Sequence, residues 1–221
     1  MTLTSRSNKQ LFVEGTNDKF FIVSLTKRMR NTYGDDARLW FGGFHIESSG
    51  SDSQAIDDFK LASKGTKDQV YGIILDADDL TGKHLADRWK DISSIPTLQG
   101  ANPPATIPPA GWIGQIPDGP KVGAWIFPDN IGDGALEAFI ASFIPMSSLW
   151  TFSEKVVKLA KKNHGATFAD IHKVKARIHS WLSWCKEPGR PYGRAMECGD
   201  LDSSLNPAGG VFVNWLESLF S

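Results

Sequence analysis

Acidic side chains follow three of the most apolar stretches of this 221-residue chain. Leu11-Phe12-Val13 runs into Glu14, Val70 to Leu75 into Asp76, and Val122 to Phe127 into Pro128-Asp129. Asp18 lies four residues after Glu14, Asp78 two after Asp76, and Glu137 in the segment that follows the third stretch. Continuous apolar runs of this kind read as strands buried on both faces, and in an open parallel sheet the carboxyl ends of the strands border the ligand crevice. One intervening residue at a strand terminus should turn Asp76 and Asp78 to the same side. Glu14, Asp18, Asp76, Asp78 and Glu137 would then converge, and five like charges repel unless a cation compensates them. Mg²⁺ or Mn²⁺ suits such a set, because both take hard oxygen ligands from a few carboxylates, water and substrate phosphate. Taken singly, Asp18 and Asp78 also suit helix caps and Glu14 a strand terminus; it is the set that points to metal.

The elements that must position these acids alternate in type. After the strand at Leu11 to Val13 comes a helix from Asp18 to Arg30, capped by Thr16 or Asn17. Arg38 to Ile46 is aromatic-rich and reads as extended with a bend at Gly42-Gly43, and Ser51 caps a helix running to Lys64. A polar helix from about Thr81 to Asp91 follows the strand Val70 to Leu75. Between Pro96 and Pro120 lie seven of the 12 prolines, which predict a loop with room for a hairpin: a lid or a plain surface insertion. Helices are expected at about 133–143, 148–162, 168–185 and 211–219. Strand and helix in alternation predict right-handed crossovers and a mainly parallel sheet.

Composition narrows the class. A chain with 41% hydrophobic and 22% charged residues is globular. It lacks an apolar stretch of the roughly 18 residues a membrane span needs, its N-terminus has no signal-like apolar region, and two cysteines, Cys185 and Cys198, are too few for a disulfide framework. A cytoplasmic protein with no membrane attachment is expected. Net charge is −1, yet residues 151 to 194 hold ten basic and three acidic side chains, while residues 1 to 150 hold 14 and 18. The basic segment is a solvated surface or a phosphate-facing flank.

LFVEGTNDKFF (Leu11 to Phe21) and GIILDADD (Gly72 to Asp79) resemble the Toprim superfamily, whose metal site joins a strand-terminal Glu-Gly motif to a later Asp-X-Asp motif. The Glu14/Asp18 spacing is most similar to OLD-type nuclease domains, and PDNIGDGALEAF (Pro128 to Phe139) is similar to their later acidic segment, with Glu137 the best match. Together with KARIHSWLSWCKEPGRPYGRAM (Lys175 to Met196), that segment also resembles an uncharacterised bacterial family of stand-alone Toprim-like proteins. The resemblance implies an α/β Toprim-like core over residues 8–145, carrying the Pro-rich loop 96–120, and a helical C-terminal extension over 146–221 packed on it. It also implies nucleic acid as substrate. OLD-type enzymes carry an ATPase, and no GxxxxGK[ST] loop occurs here, so an ATPase partner would be a separate chain. Tyr33, Tyr71 and Tyr192 have no DNA-cleavage domain around them, which speaks against topoisomerase activity.

On the helix expected at 168–185, Ile171, Val174, Ile178, Trp181 and Leu182 form one stripe. Lys175 stands at its edge, His172 and His179 beside it, and Lys173 and Arg177 point away. Lys175 is therefore the cation placed to reach inward and counter charge on a reacting phosphate, or else a snorkelling surface lysine. The two histidines read as surface residues, Trp181, Trp184 and Trp215 as core, and Arg190 and Arg194 as candidate phosphate contacts. The reading is a Mg²⁺- or Mn²⁺-dependent nuclease whose metal is held by Glu14, Asp76 and Asp78, with Asp18 and Glu137 for a second metal or water and Lys175 as the catalytic cation. A primase-like nucleotidyltransferase and a non-catalytic partner of an ATPase are the alternatives.

Overall fold

A computed structural model describes residues 8–33, 43–78 and 83–221, with the side chains of 30–33 excepted. Much of the aromatic segment 38–46 and the start of the helix expected from Thr81 lie outside the described residues. Three apolar runs form the centre of one sheet: β1 (Lys9–Val13), β3 (Val70–Asp76) and β5 (Lys121–Phe127), with β2 (His45–Ser48) and β4 (Trp112–Gln115) at the edges in the order β2-β1-β3-β5-β4. The pairings β2·β1, β1·β3 and β3·β5 are parallel, in registers that set Leu11 against Gly72 and Asp76 against Phe127. Strand β4 is antiparallel to β5 and closes a hairpin, so the Pro-rich region holds regular structure at its end and a 3₁₀ turn at Pro96–Ala101 at its start.

Alternation along the strands divides the core into two layers. Leu11, Val13, Ile74, Trp125 and Phe127 face one side, where helices α1 (Thr16–Tyr33), α4 (Leu136–Ala141), α6 (Lys173–Leu182), α7 (Tyr192–Cys198) and α8 (Pro207–Phe220) cover them. Phe12, Ile73, Leu75, Val122, Ala124 and Ile126 face the other side, under α2 (Asp52–Ala62), α3 (Leu85–Ser93) and the Trp112 end of the hairpin. Helix α5 (Ser148–Asn163) packs on α6 through Trp150 and Trp181, which meet edge to face.

Local chemistry fixes the helix starts. Ser51 accepts from the Gln54 N–H at 3.2 Å, Ser147 from Trp150 at 3.2 Å, and Asn206 from Ala208 at 2.8 Å ahead of Pro207. Helix α8 begins earlier than the apolar pattern suggests because Asn206-Pro207 sets its N-terminus. It lies close on the sheet at two glycines: a Cβ at Gly72 or Gly123 would come within 2.8 or 2.9 Å of the Leu219 side chain. The helix expected at 168–185 is instead a 3₁₀ turn at Asp170–His172 followed by α6, and α7 was not expected at all. Of the predicted stripe, Ile178, Trp181 and Leu182 are buried, whereas Ile171 and Val174 are each 38% exposed. None of the helices among the described residues is long and apolar enough to cross a membrane.

Candidate active site

Glu14 and Asp76 end neighbouring parallel strands and meet there: the Asp76 N–H donates to Glu14 Oε1 at 2.8 Å. Asp76 Oδ1 accepts the Leu136 N–H at 2.8 Å, which joins the end of β3 to the first turn of α4. Glu137, the next residue, thereby enters the same space. Asp18 arrives from the first turn of α1, where its Oδ2 accepts the Gly15 N–H at 3.1 Å and orders the turn leaving β1.

Burial and mutual repulsion dominate the electrostatics. Desolvation pushes the Glu14 carboxyl up to about 7, with the Asp18 charge adding to the effect. Burial likewise raises Asp18 to about 6, helped by Glu137 and opposed by Lys175. Asp76 is raised well above the carboxylate range by burial, then by Glu14 and Asp18. Four acids thus share one space, and burial holds the carboxyls of Glu14, Asp18 and Asp76 above their ordinary range.

Lys175 reaches this group from α6, its Nζ 2.9 Å from Glu137 Oε1 and its side chain 43% exposed. Buried Tyr192 addresses the same oxygen of Glu137, its hydroxyl 3.4 Å from Oε1 and 3.1 Å from His179 Nε2. Burial, then the nearby Lys175 charge, lowers the pKa of His179, which keeps the ring neutral.

Asp78 does not share a direction with Asp76. Its φ of +60° takes it out of strand geometry, and its carboxylate meets the Arg88 guanidinium at 2.5 Å. Its backbone exchanges two hydrogen bonds with Gly134, at 2.9 and 2.8 Å, and so fastens the end of β3 to the approach of α4. Arg88, only 4% exposed, also binds Asp52 at 2.5 Å and donates through Nε to the Asp76 carbonyl at 3.0 Å. Strand periodicity fails at Asp78 because the left-handed backbone there is a tertiary outcome. Asp129, the acid nearest the end of β5, accepts from Ile131 and Gly132 and closes its own turn.

Two other cations differ from expectation. Arg177 does not point away: it stacks over Trp150 at 3.6 Å and donates to the Trp150 carbonyl at 3.0 Å, tying α5 to α6. Arg190 is 8% exposed and clamped between Glu187 and Asp200, so its charge is spent inside the fold. Sequence reasoning missed Arg88 and Tyr192 as neighbours of the site. Arg88 sits in an unremarkable polar helix, and only a buried position among polar neighbours would have marked it.

The donor set can be tested against a divalent metal. Glu14, Asp18 and Asp76 each use one named oxygen on a backbone N–H and present hard oxygen donors of the kind Mg²⁺ and Mn²⁺ take. Burial first, and neighbouring acid charges second, raise their pKa values, and a bound cation would offset both. Among the described residues no three acidic, histidine or cysteine side chains are already drawn into a closed ligating group. The acids suit the ion in donor type, while the described positions do not gather three of them around one point.

Fold and site define an α/β protein with a carboxylate cluster at the carboxyl ends of a mostly parallel sheet. The chain belongs to the family described as "Protein of unknown function (DUF3226)", which matches residues 8–221. It is similar to the C-terminal region of the Burkholderia pseudomallei OLD protein at 12% identity and a TM-score of 0.49, covering 97% of this chain and 99% of that one. It is also similar to the C-terminal region of the Xanthomonas campestris pv. campestris OLD protein, at 11% identity and a TM-score of 0.45 over 96% of this chain and 95% of that one. No curated protein matches.

Proposed function

We propose that the protein is a Mg²⁺- or Mn²⁺-dependent nuclease hydrolysing phosphodiester bonds of DNA or RNA. The observation that carries this reading is the convergence of Glu14, Asp18, Asp76 and Glu137 beside a single lysine, with three of the acids shifted upward by burial and each other. Glu14, Asp18, Asp76 and Glu137 would hold the ion, with Asp78 joining only on leaving Arg88. The bound ion would supply Lewis-acid activation of water and of the phosphoryl oxygens.

The chain's own residues do the rest. Backbone N–H groups of Gly15, Asp76 and Leu136 fix one oxygen of each buried acid, so the carboxylates are oriented before a substrate arrives. Lys175 brings a positive charge to the edge of the cluster, where it can meet a phosphate oxygen as negative charge builds up in the transition state. Tyr192 and Lys175 both address Glu137 Oε1 and so limit its rotation.

The test is incubation of labelled single- and double-stranded DNA and RNA with Mg²⁺ or Mn²⁺, using Asp76→Ala as control. Cleavage by the wild type that is lost in the variant and in chelator supports the reading. Template-dependent primer synthesis without hydrolysis would replace it with the nucleotidyltransferase alternative. Metal-independent inertness toward all four substrates, with the acids intact, would leave a non-catalytic partner of a separate ATPase.

A further inference from the structure

The hairpin of α5 and α6 lies in the most basic stretch of the chain. Residues 151 to 194, which run past the hairpin into α7, hold ten basic side chains against three acidic ones, two of the ten, Arg177 and Arg190, being engaged within the fold, while Leu149, Phe152, Leu159 and Trp184 are 37% to 51% exposed. Where the end of α5 meets the start of α6, Val157, Lys158, Lys161, Lys162, Phe168 and Lys173 enclose a hollow of about 250 Å³, with Asp170 the one acid in its wall. Lys161 pairs with that Asp170 and lies 5.3 Å over the Phe168 ring. The hollow is smaller than the about 300–1,000 Å³ of cavities that engulf a whole small ligand, so it suits one unit of a longer one.

Lys173 belongs to this hollow and Lys175 to the carboxylate cluster, two residues apart on one helix and therefore on opposite flanks of it. A helix with its side chains is about 10–12 Å across, which is the width a strand running from the hollow to the cluster has to cross. A lysine set beside a half-buried aromatic ring, as Lys161 is over Phe168, is the combination that holds a single strand, phosphate on the cation and base on the ring.

We propose that the basic hollow is a phosphate-anchoring subsite for single-stranded nucleic acid, and that the strand passes from it over the start of α6 to the carboxylate cluster. The proposal rests on the nuclease reading for the direction of that path. Binding at the hollow itself does not depend on cleavage.

The experiment measures anisotropy of a labelled 20-nucleotide DNA, and separately RNA, bound to metal-free protein across a salt series. Lys158→Ala/Lys162→Ala/Lys173→Ala should weaken binding on the order of tenfold at low salt and flatten the slope of log K against log salt by about 2, three contacts at roughly 0.7 each. Phe168→Ala should weaken binding and leave that slope unchanged. Lys60→Ala/Lys64→Ala/Lys67→Ala, equal in charge and exposed on α2 and beyond it, should change neither. Equal losses in the two triple variants, binding of poly-glutamate as tight as that of the oligonucleotide, or a wild type that binds neither DNA nor RNA would overturn the proposal. Cleavage that survives in the hollow triple with unaltered binding would sink the track and spare the nuclease reading. Binding that depends on the hollow without cleavage would do the reverse.

Discussion

The Asp76 side chain accepts the Leu136 N–H at 2.8 Å while the Asp76 N–H donates to Glu14 at 2.8 Å, so one residue at the end of β3 ties β1 to α4. Each bond orders a neighbour and partly offsets the burial that raises the pKa of its carboxylate.

Stability should fall as pH rises in the metal-free protein. Glu14 at about 7, Asp18 at about 6 and a raised Asp76 mean that the folded state holds more protons than the unfolded chain between about pH 4 and 7. The stability they contribute is full below the unfolded carboxylate range and is lost as pH climbs through the folded values, on the order of several kcal/mol across the cluster. Urea unfolding from pH 4.5 to 8 checks this, with Asp76→Asn flattening the decline. A profile that rises over this range would refute the assignment of strain to the acids.

Removing Arg88 should cost about 3–5 kcal/mol, because Asp52, Asp78 and the Asp76 carbonyl all lose the same buried partner. Chemical denaturation of Arg88→Met measures the cost. A loss below about 1 kcal/mol would show that the guanidinium does not hold these three segments.

Lys175→Ala should lower kcat on the order of 10²-fold and leave the metal-induced rise in melting temperature nearly intact. Lys173→Ala should alter mainly the salt dependence of nucleic-acid binding. Arg177→Ala should instead destabilise the fold by about 1–3 kcal/mol, since it removes the stack on Trp150 and a bond to its carbonyl. Equal small effects of Lys175→Ala and Lys173→Ala on kcat would remove Lys175 from the reaction.

Gly72→Ala and Gly123→Ala should each destabilise the protein by about 1–3 kcal/mol, because the added methyl meets Leu219 where α8 lies on the sheet. Gly210→Ala, with open space around it, is the control. Thermal melts of the three variants decide the matter, and equal melting temperatures would contradict the close approach of α8.

The central strands were legible because burial on both faces leaves unbroken apolar runs, and the acids were legible because they stop those runs. Their parallel pairing puts Glu14 and Asp76 at one end of the sheet, as the reading required. Strand β4 was not named as a strand, since four residues at a sheet edge carry little pattern and its partner is chosen by the fold. Helix α7 was missed because seven residues behind a Pro-Gly turn offer less than two periods. The different directions of Asp76 and Asp78, the inward stack of Arg177 and the convergence on Arg88 all depend on contacts across the fold that no local spacing encodes.

Calorimetric titration of Mn²⁺ into the wild type and Asp76→Asn at pH 6.5, in buffers of different ionisation enthalpy, tests the central claim most directly. The account predicts one or two Mn²⁺ bound per chain with protons released, because ions displace protons from Glu14, Asp18 and Asp76. It predicts binding abolished or weakened at least about tenfold in the variant. Equal Mn²⁺ binding by both proteins, or none by the wild type, would contradict it.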